Sequence, residues 1–261
     1  MYWVGVDPLQ QVVSRGEAMD LIPWLSIRWQ TTCPCSGHYF WWDGDGLALK
    51  SAEFDLRSRV HVDFVHGSQA RRIKAATGEA LTRAVGCQKG LRPSVIDTTA
   101  GLGGDLSVLA NLGCKVLAME RDPVVAALLV DALRRAEESE IEWCDRLRFR
   151  YADSAQVISC VSHGIVYLDP MFPKERKAAA SLPMRVLQEL DQTTYDPDRL
   201  LEAALDSDAA RVVVKRPIRA DFLGGRRPSS QLKAKTVRFD LYPKRKLTIE
   251  DCASFEEVIE T

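Results

Sequence analysis

A short apolar stretch followed by a glycine-rich turn constrains the fold of this chain most strongly. Val95-Ile96-Asp97 begins with two β-branched residues, which favour a strand inside a sheet. At Gly101, Gly103 and Gly104 the backbone can turn sharply, and a ligand can approach without meeting a Cβ atom. The residues from Asp105 onward are predicted to begin a helix. Such a turn after a parallel strand is typical of nucleotide-binding α/β sheets, and the alternative is a turn without a ligand.

Strand-like and helical stretches alternate along the rest of the chain. The further predicted strands are 115–119, 147–151, 165–168, 211–215 and 237–242. Asp122-Pro123 and Asp196-Pro197 are helix-starting pairs, which predict helices over 123–138 and from 197 to about 205. This alternation predicts an α/β fold with a mainly parallel sheet that helices cover on both faces.

The first 60 residues have a different character and are predicted to form a small N-terminal β-rich subdomain, with residues 61–261 as the main domain. The early segment holds five of the six tryptophans. Strand-like residues 39–42 and 47–49 flank Asp-Gly pairs, which favour a hairpin turn. One more strand is predicted at 61–65, and a helix at 68–85 that is broken near Gly78.

Composition argues against membrane insertion and against a metal site. The chain has 261 residues, and no apolar run reaches the roughly 18 residues of a membrane span. The first residues show no basic stretch followed by an apolar stretch, as a secretory signal peptide would have, so a cytoplasmic location is expected. The seven cysteines are scattered, which fits reduced thiols. Cys33-Pro34-Cys35 lacks the spacing of a zinc site, and no metal is predicted.

The charge is distributed unevenly, although the net charge is only −1. Residues 211–246 carry twelve Lys or Arg and two Asp, a local charge of +10, whereas residues 248–261 carry five acids and no base. Together with Arg71 and Arg72, the basic stretch is predicted to contact phosphates of a nucleic acid. The alternative for each basic residue is an ordinary solvated surface.

Acidic residues after the predicted strands indicate what the glycine turn binds. An NAD site requires a third glycine, but that position is Leu106. Glu120, nineteen residues after Gly101, can accept both hydroxyls of a ribose, as in sites for NAD and for S-adenosylmethionine. Asp153 can accept from an adenine amino group, with Ser154 beside it. The alternative for each acid alone is a surface residue, but the position of both at strand ends beside a glycine turn argues against it.

The motif Asp169-Pro170-Met171-Phe172 favours S-adenosylmethionine. It resembles the [Asp/Asn]-Pro-Pro-[Tyr/Phe] motif of methyltransferases that act on exocyclic amino groups of bases. The lone pair of such an amino nitrogen is delocalised into the ring. Hydrogen bonds to Asp169 and to a main-chain carbonyl would favour a pyramidal nitrogen whose lone pair faces the methyl group. Phe172 would stack on the base. The alternative is a strand that ends in a proline turn.

Taken together, several stretches of the sequence resemble the ribosomal RNA small subunit methyltransferase J family. The resemblance spans about residues 60–242 and rests on the stretches 62–65, 97–103, 120–129, 166–173, 184–186, 212–217 and 238–242. It implies a class I, Rossmann-like S-adenosylmethionine-dependent fold with a mainly parallel seven-stranded sheet. It also implies methylation of the N2 amino group of one guanine near the 3′ end of 16S ribosomal RNA.

The resemblance and the motifs together predict the site. The predicted cofactor-binding residues are Asp97, Gly101, Gly103, Gly104, Asp105, Glu120, Arg121, Asp153, Ser154 and Asp169, and the predicted catalytic residues are Asp169, Pro170 and Phe172. The family typically has arginine where this chain has Gly104, which implies that this chain makes no side-chain interaction at that position.

Three alternatives remain open at this point. The substrate could be another amino group, such as that of DNA adenine or of a protein. The chain could be a non-catalytic RNA-binding protein with this fold, or an NAD-linked oxidoreductase. The expected partner is 16S ribosomal RNA or the small ribosomal subunit, with no membrane and no stable protein partner.

Overall fold

The structure is a computed structural model that describes residues 3–6, 28–30, 36–42, 46–52, 59–75, 80–170 and 196–255. The chain divides into two compact units. The first comprises Met1–Gly67, Asp122–Ile141 and Phe172–Thr193, and the second comprises Ser68–Arg121, Glu142–Met171 and Thr194–Thr261. Placing the boundary of the N-terminal subdomain at residue 60 stays a prediction.

Along its described residues, the chain passes from strands alone to helices and strands that mostly alternate. The strands are β1 (Trp3–Val6), β2 (Arg28–Gln30), β3 (His38–Trp42), β4 (Leu47–Ser51), β5 (Val60–His61), β6 (Val95–Asp97), β7 (Val116–Glu120), β8 (Leu147–Tyr151), β9 (Ile165–Leu168), β10 (Arg211–Pro217), β11 (Ser230–Lys233) and β12 (Val237–Pro243). The α-helices are α1 (Gly67–Ala75), α2 (Ala80–Ala84), α3 (Gly104–Asn111), α4 (Pro123–Glu138), α5 (Ser154–Val157) and α6 (Pro197–Asp206).

The first unit contains a mixed sheet with the strand order β2-β1-β3-β4-β5. β1 runs parallel to β2 and β3, whereas β3–β4 and β4–β5 are antiparallel pairs. The strands of the predicted hairpin are confirmed as β3 and β4, and its turn at 43–45 lies outside the described residues. Strands β1 and β2 were not predicted from the sequence.

A buried aspartate joins helix α4 to the hairpin within the first unit. Asp131 is fully buried, and its Oδ2 accepts hydrogen bonds from Leu47 N at 2.9 Å and from Arg135 Nε at 2.9 Å. Arg135 also donates to the carbonyl oxygen of Val62. Because a buried carboxylate is costly unless it is paired, these contacts fix how α4 meets β4.

The predicted strand at 61–65 is wrong, because β5 ends at His61. The Oδ1 of Asp63 accepts hydrogen bonds from Val65 N at 2.8 Å and from His66 N at 3.0 Å, so Asp63 stabilises a turn before α1. Val62 and Phe64 are both buried around this turn. Their alternation with partly exposed neighbours imitates a strand in the sequence.

The second unit contains the seven-stranded sheet, with the order β11-β12-β10-β9-β6-β7-β8. The five strands from β10 to β8 are parallel, and β12 and β11 are antiparallel additions at one edge. The predicted mainly parallel α/β sheet is confirmed. Strand order changes direction between β6 and β9, and in open α/β sheets ligands bind beyond the carboxyl ends of the strands at such a point.

Most element boundaries in the second unit agree with the prediction, and one strand was missed. β8 and β9 begin and end where the sequence predicts, and the helix predicted at 68–85 is α1 and α2, with 76–79 outside the described residues. The missed strand is β11, Ser-Gln-Leu-Lys, which among the described strands pairs only with β12 and is largely exposed. An exposed edge strand needs no apolar alternation, so its sequence carries little signal. Within the described part of the chain, no helix is long and apolar enough to cross a membrane.

Candidate active site

The acids singled out from the sequence meet at the carboxyl edge of the seven-stranded sheet. Asp97 and Glu120 are the last residues of β6 and β7, Asp153 follows β8, and Asp169 directly follows β9. Parallel strands bring these ends to one edge, so four acids that are up to 72 positions apart in the sequence share one site.

The glycine turn begins at Asp97 and requires backbone conformations that favour glycine. Gly101 has φ +54° and Gly103 has φ +77°, both in the left-handed region. Asp97 is almost fully buried, and its Oδ1 accepts from Thr99 N at 3.1 Å. Burial raises the pKa of Asp97 well above its usual range, an effect that Thr99 N opposes and that nearby Asp105 reinforces. Asp97 therefore stabilises the start of the glycine turn through this hydrogen bond.

Glu120 lies against this turn. Its Oε2 accepts from Gly101 N at 2.8 Å, and its Oε1 accepts from Arg121 N at 2.9 Å. Both bonds come from backbone N–H groups, so the carboxylate is held in one place. The structure thus brings Glu120 and Gly101 together, as the cofactor prediction requires.

Asp153 and Ser154 begin helix α5. Asp153 caps it by accepting from Ala155 N at 3.2 Å through Oδ1, and it accepts from Gln156 Nε2 at 2.9 Å through Oδ2. Ser154 is buried, and its hydroxyl donates to the carbonyl oxygen of Thr98 at 2.8 Å. The Ser154 hydroxyl therefore ties α5 to the glycine turn.

Asp169 is held by its backbone and by one carboxylate oxygen. Its N–H donates to Thr99 Oγ1 at 2.7 Å, and its Oδ2 accepts from Lys215 Nζ at 2.8 Å. Among the described residues, no hydrogen bond is made to Oδ1, and 37% of the side chain is exposed. Pro170 is buried, whereas Met171 and Phe172 lie outside the described residues.

Asp105, in the first turn of α3, is the centre of a network of charged groups. Its Oδ2 accepts from Lys215 Nζ at 2.6 Å and from Tyr167 Oη at 2.7 Å. Its Oδ1 accepts from Arg72 Nη2 at 2.5 Å. Both oxygens are thus engaged by protein donors, and a contact of Asp105 with the cofactor stays a prediction.

The network shifts several pKa values. Burial raises the pKa of Asp105, but pairing with Lys215, Tyr167 and Arg72 outweighs burial and leaves the pKa below its usual value. For Asp169, burial and the neighbouring Asp105 outweigh Lys215, and the pKa is raised. Burial alone would lower the pKa of Lys215, but its two carboxylate partners raise it.

Sequence reasoning missed Lys215 and Tyr167 as site residues. Lys215 follows three buried valines in β10, and a charged residue at this point of a buried strand was the available signal. Tyr167 is fully buried in β9, and only its hydroxyl contact with Asp105 distinguishes it from a core residue.

Arg72 was predicted to contact phosphate, but it pairs with Asp105. Its Nη1 lies 2.8 Å from the position that a Cβ on Gly104 would occupy. The absence of a side chain at Gly104 therefore leaves room for a guanidinium that comes from α1.

The basic stretch at 211–246 divides into two sets. The residues whose side chains bond to protein groups are Arg211, Lys215, Arg216, Arg238, Lys244 and Arg245. The exposed residues, for which no side-chain hydrogen bond or ion pair occurs within the described ranges, are Arg219, Arg226, Arg227, Lys233, Lys235 and Lys246. We call the second set the exposed basic set.

Comparison with known proteins assigns the family. A family model described as "Putative SAM-dependent methyltransferase" matches residues 26–244. A protein from Pseudoalteromonas translucida (strain TAC 125), named Ribosomal RNA small subunit methyltransferase J, is 45% identical over 218 residues, covering 80% of this chain and 86% of that protein. A protein of the same name from Shewanella baltica (strain OS185) is 42% identical over 229 residues, covering 84% of this chain and 92% of that protein. This chain belongs to the methyltransferase J family.

A solved structure agrees with the fold of this family. A SAM-dependent methyltransferase from Neisseria gonorrhoeae is 31% identical and superimposes with a TM-score of 0.73, covering 92% of this chain and 95% of that chain. The predicted family, the Rossmann-like methyltransferase fold and the cofactor S-adenosylmethionine are therefore confirmed.

The described residues fit this cofactor. Among the described residues other than its two chain neighbours, a Cβ on Gly101 would meet only Thr99 O within 4 Å, at 3.8 Å, so the turn is open to a ligand. Glu120 places an acceptor beside that opening. Among the described residues, no group of three or more His, Cys, Asp or Glu side chains is arranged to hold a metal ion.

Proposed function

We propose that this chain methylates the N2 amino group of a guanine near the 3′ end of 16S ribosomal RNA. Two of its relatives carry the name Ribosomal RNA small subunit methyltransferase J, which supports a ribosomal RNA substrate. The observation on which the proposal chiefly rests is Asp169 at the end of β9, with Oδ2 held by Lys215 and Oδ1 directed to no described donor.

The cofactor would be held at the glycine turn. Glu120 would accept the ribose hydroxyls, Asp153 would accept from the adenine amino group, and the turn at Gly101 and Gly103 would let the ligand approach the backbone. S-adenosylmethionine, when bound, supplies a methyl group that its sulfonium already activates, so the transfer requires no metal.

Asp169 would act on the other reactant. Its Oδ1 can accept one N–H of the guanine amino group, and a main-chain carbonyl nearby can accept the other. These bonds would favour a pyramidal nitrogen with a localised lone pair. Positioning of this kind supplies on the order of 7–11 kcal/mol of a barrier in favourable cases. After methylation the nitrogen is acidic, and its proton can pass to Asp169 or to water.

Phe172 would stack on the target base once the base has left its RNA environment. The exposed basic set would contact phosphates along the RNA, because its side chains bond to no other described residue and a polyanion attracts exposed Lys and Arg. Both roles are assigned from the sequence and from the charge distribution.

Mass mapping of ribosomal RNA tests the proposal. RNA from cells that lack this protein should lose one methylguanosine near the 3′ end of 16S RNA, and the unaltered gene should restore it, whereas an Asp169→Ala gene should not. An unchanged modification map would refute the substrate. Calorimetry separates the alternatives: binding of S-adenosylhomocysteine, but not of NAD, is expected, and no binding would favour a non-catalytic RNA-binding protein.

A further inference from the structure

Lys215 lies between two carboxylates at the candidate active site. Its Nζ is 2.6 Å from Asp105 Oδ2 and 2.8 Å from Asp169 Oδ2. The side chain is only 20% exposed. Both distances are those of charge-assisted hydrogen bonds, which are among the stronger polar contacts in proteins.

The two carboxylates depend on Lys215 to different degrees. Asp105 has further donors in Tyr167 and Arg72. In the described part of the chain, Asp169 has Lys215 as its one side-chain donor. Loss of the ammonium group would therefore leave Asp105 paired, but would take from the Asp169 carboxylate the one cation that hydrogen-bonds to it among the described residues, beside another negative charge.

We propose that Lys215 is a positioning residue for methyl transfer, which holds Asp169 Oδ2 so that an ionised Oδ1 faces the amino group of the substrate. The proposal rests on the proposed function, since it assumes that Asp169 accepts from this amino group. It assigns Lys215 a role through Asp169 and no contact with substrate or cofactor.

The groups around Asp169 predict how pH reveals this role. The titratable groups that face it are Asp97 at the end of β6, Arg72 on α1, Asp105 on α3, Tyr167 on β9 and Lys215 on β10. Burial raises the pKa of Asp169, Lys215 opposes this, and Asp105 adds to it. Without Lys215 the pKa rises further, so the carboxyl group becomes protonated at a higher pH.

The direction of the effect on rate follows. If transfer requires ionised Asp169, activity is lost as the pH falls through the pKa of Asp169. Removing Lys215 moves this loss to higher pH, and raising the pH restores part of the activity. A purely structural role of Lys215 would reduce the rate equally at every pH.

The test compares Lys215→Met, Lys215→Arg and the unaltered protein. Single-turnover methylation of unmodified 16S ribosomal RNA is measured from pH 6 to pH 9, with the affinity for S-adenosylhomocysteine in parallel. For Lys215→Met we expect the deficit in rate to grow as the pH falls from 8.5 towards 6, up to a limit of about tenfold for each unit by which the pKa of Asp169 rises. Lys215→Arg should lose its activity at nearly the same low pH as the unaltered protein, because it keeps the positive charge. Lys89→Met, at an exposed position, is the matched control and should leave the profile unchanged.

A second measurement does not depend on the reaction. The pKa of Asp169 is followed by carboxyl ¹³C NMR, with its signal assigned by its loss in Asp169→Asn. It should rise in Lys215→Met and stay near the original value in Lys215→Arg. The proposal would be overturned if Lys215→Met changed neither the pH at which the rate is lost on acidification nor the pKa of Asp169. If Asp169→Ala itself methylates at the normal rate, the proposed function fails instead, so the two failures are distinguishable.

Discussion

The carboxylates at the edge of the seven-stranded sheet are held in two different ways. Glu120 and Asp153 accept hydrogen bonds from uncharged N–H groups, most of them in the backbone. Asp169 and Asp105 are held mainly by cations, above all by Lys215. The first pair lies at the ends of β7 and β8, and the second lies at β9 and α3.

This difference fits the two tasks that the site would perform. Hydroxyl and amino groups of a cofactor need carboxylate acceptors whose position is fixed, and the N–H groups that bond to Glu120 and Asp153 fix it. A carboxylate that binds an amino group at the buried end of β9 would become protonated if nothing balanced its charge. Cations balance the charge there and leave one oxygen of Asp169 for the substrate.

Asp169→Ala should have the largest effect and tests the second pair. We expect turnover to fall by several orders of magnitude, because one acceptor for the reacting amino group is removed where the transition state needs it. Cofactor affinity should fall much less. Single-turnover methylation and calorimetry measure the two effects, and Asp206→Ala, at an exposed position on α6, is the control. A rate near that of the unaltered protein would refute the amino-group mechanism.

Glu120→Ala tests the first pair of carboxylates, and it should lower the affinity for the cofactor far more than the rate of methyl transfer. Two hydrogen bonds from ribose hydroxyls to a charged acceptor are removed, each worth roughly 1.5–3 kcal/mol. Affinity for S-adenosylhomocysteine should then fall by about 100-fold or more, while the rate at saturating cofactor changes little. Titration calorimetry against the exposed control Glu202→Ala is the measurement. Affinity within twofold of the original would remove Glu120 from the cofactor site.

Phe172→Ala should affect the base and leave the cofactor alone. Loss of the stacked ring should weaken RNA binding by about 1–3 kcal/mol. Phe172→Tyr keeps a ring and should retain most of the affinity. Filter binding of 16S RNA, with S-adenosylhomocysteine affinity in parallel, distinguishes this from general damage. Equal affinity of the alanine and tyrosine variants for RNA would contradict the stacking role.

The exposed basic set should influence neither pair of carboxylates. Replacing Arg226, Arg227 and Lys235 by serine should lower the salt dependence of RNA binding by roughly one unit of slope for each phosphate that is no longer neutralised. Lys89→Ser with Lys115→Ser, at exposed positions outside the set, is the control. Binding is measured between low and physiological salt. The same slope in the altered and control proteins would place the RNA elsewhere.

The fold of the second unit could be predicted from the sequence because its signals are local. Asp196 accepts from Asp198 N at 3.0 Å and from Arg199 N at 3.2 Å, which is the helix start that an Asp-Pro pair indicates. Buried strands such as β9 are short apolar runs. By contrast, β11 is an exposed strand without the alternation of a half-buried strand. Residues 61–65 of the first unit have that alternation although they pack around a turn, so the pattern misleads at both places.

The site could be predicted only in part for a related reason. Acids at strand ends follow from strand order and motif spacing, so Glu120 and Asp169 could be named before their partners were known. Lys215 and Tyr167 join the site because β10 and β9 are neighbours, and their contacts cross 110 and 62 positions of the chain. The sequence also shows where basic residues occur, but not which of them pair within the protein. Half of the Lys and Arg residues at 211–246 bond to protein groups.

Thr99 gives the site a mechanical property. Its side chain accepts from the N–H of Asp169, while its own N–H donates to Asp97 at the root of the glycine turn. Under the proposed function, Thr99 thus links the glycine turn, where the cofactor would bind, to Asp169, which would hold the substrate. A misplacement of about 1 Å can lower the rate of a transfer reaction on the order of 100-fold. This short link would therefore help to fix the distance between the methyl donor and the amino group.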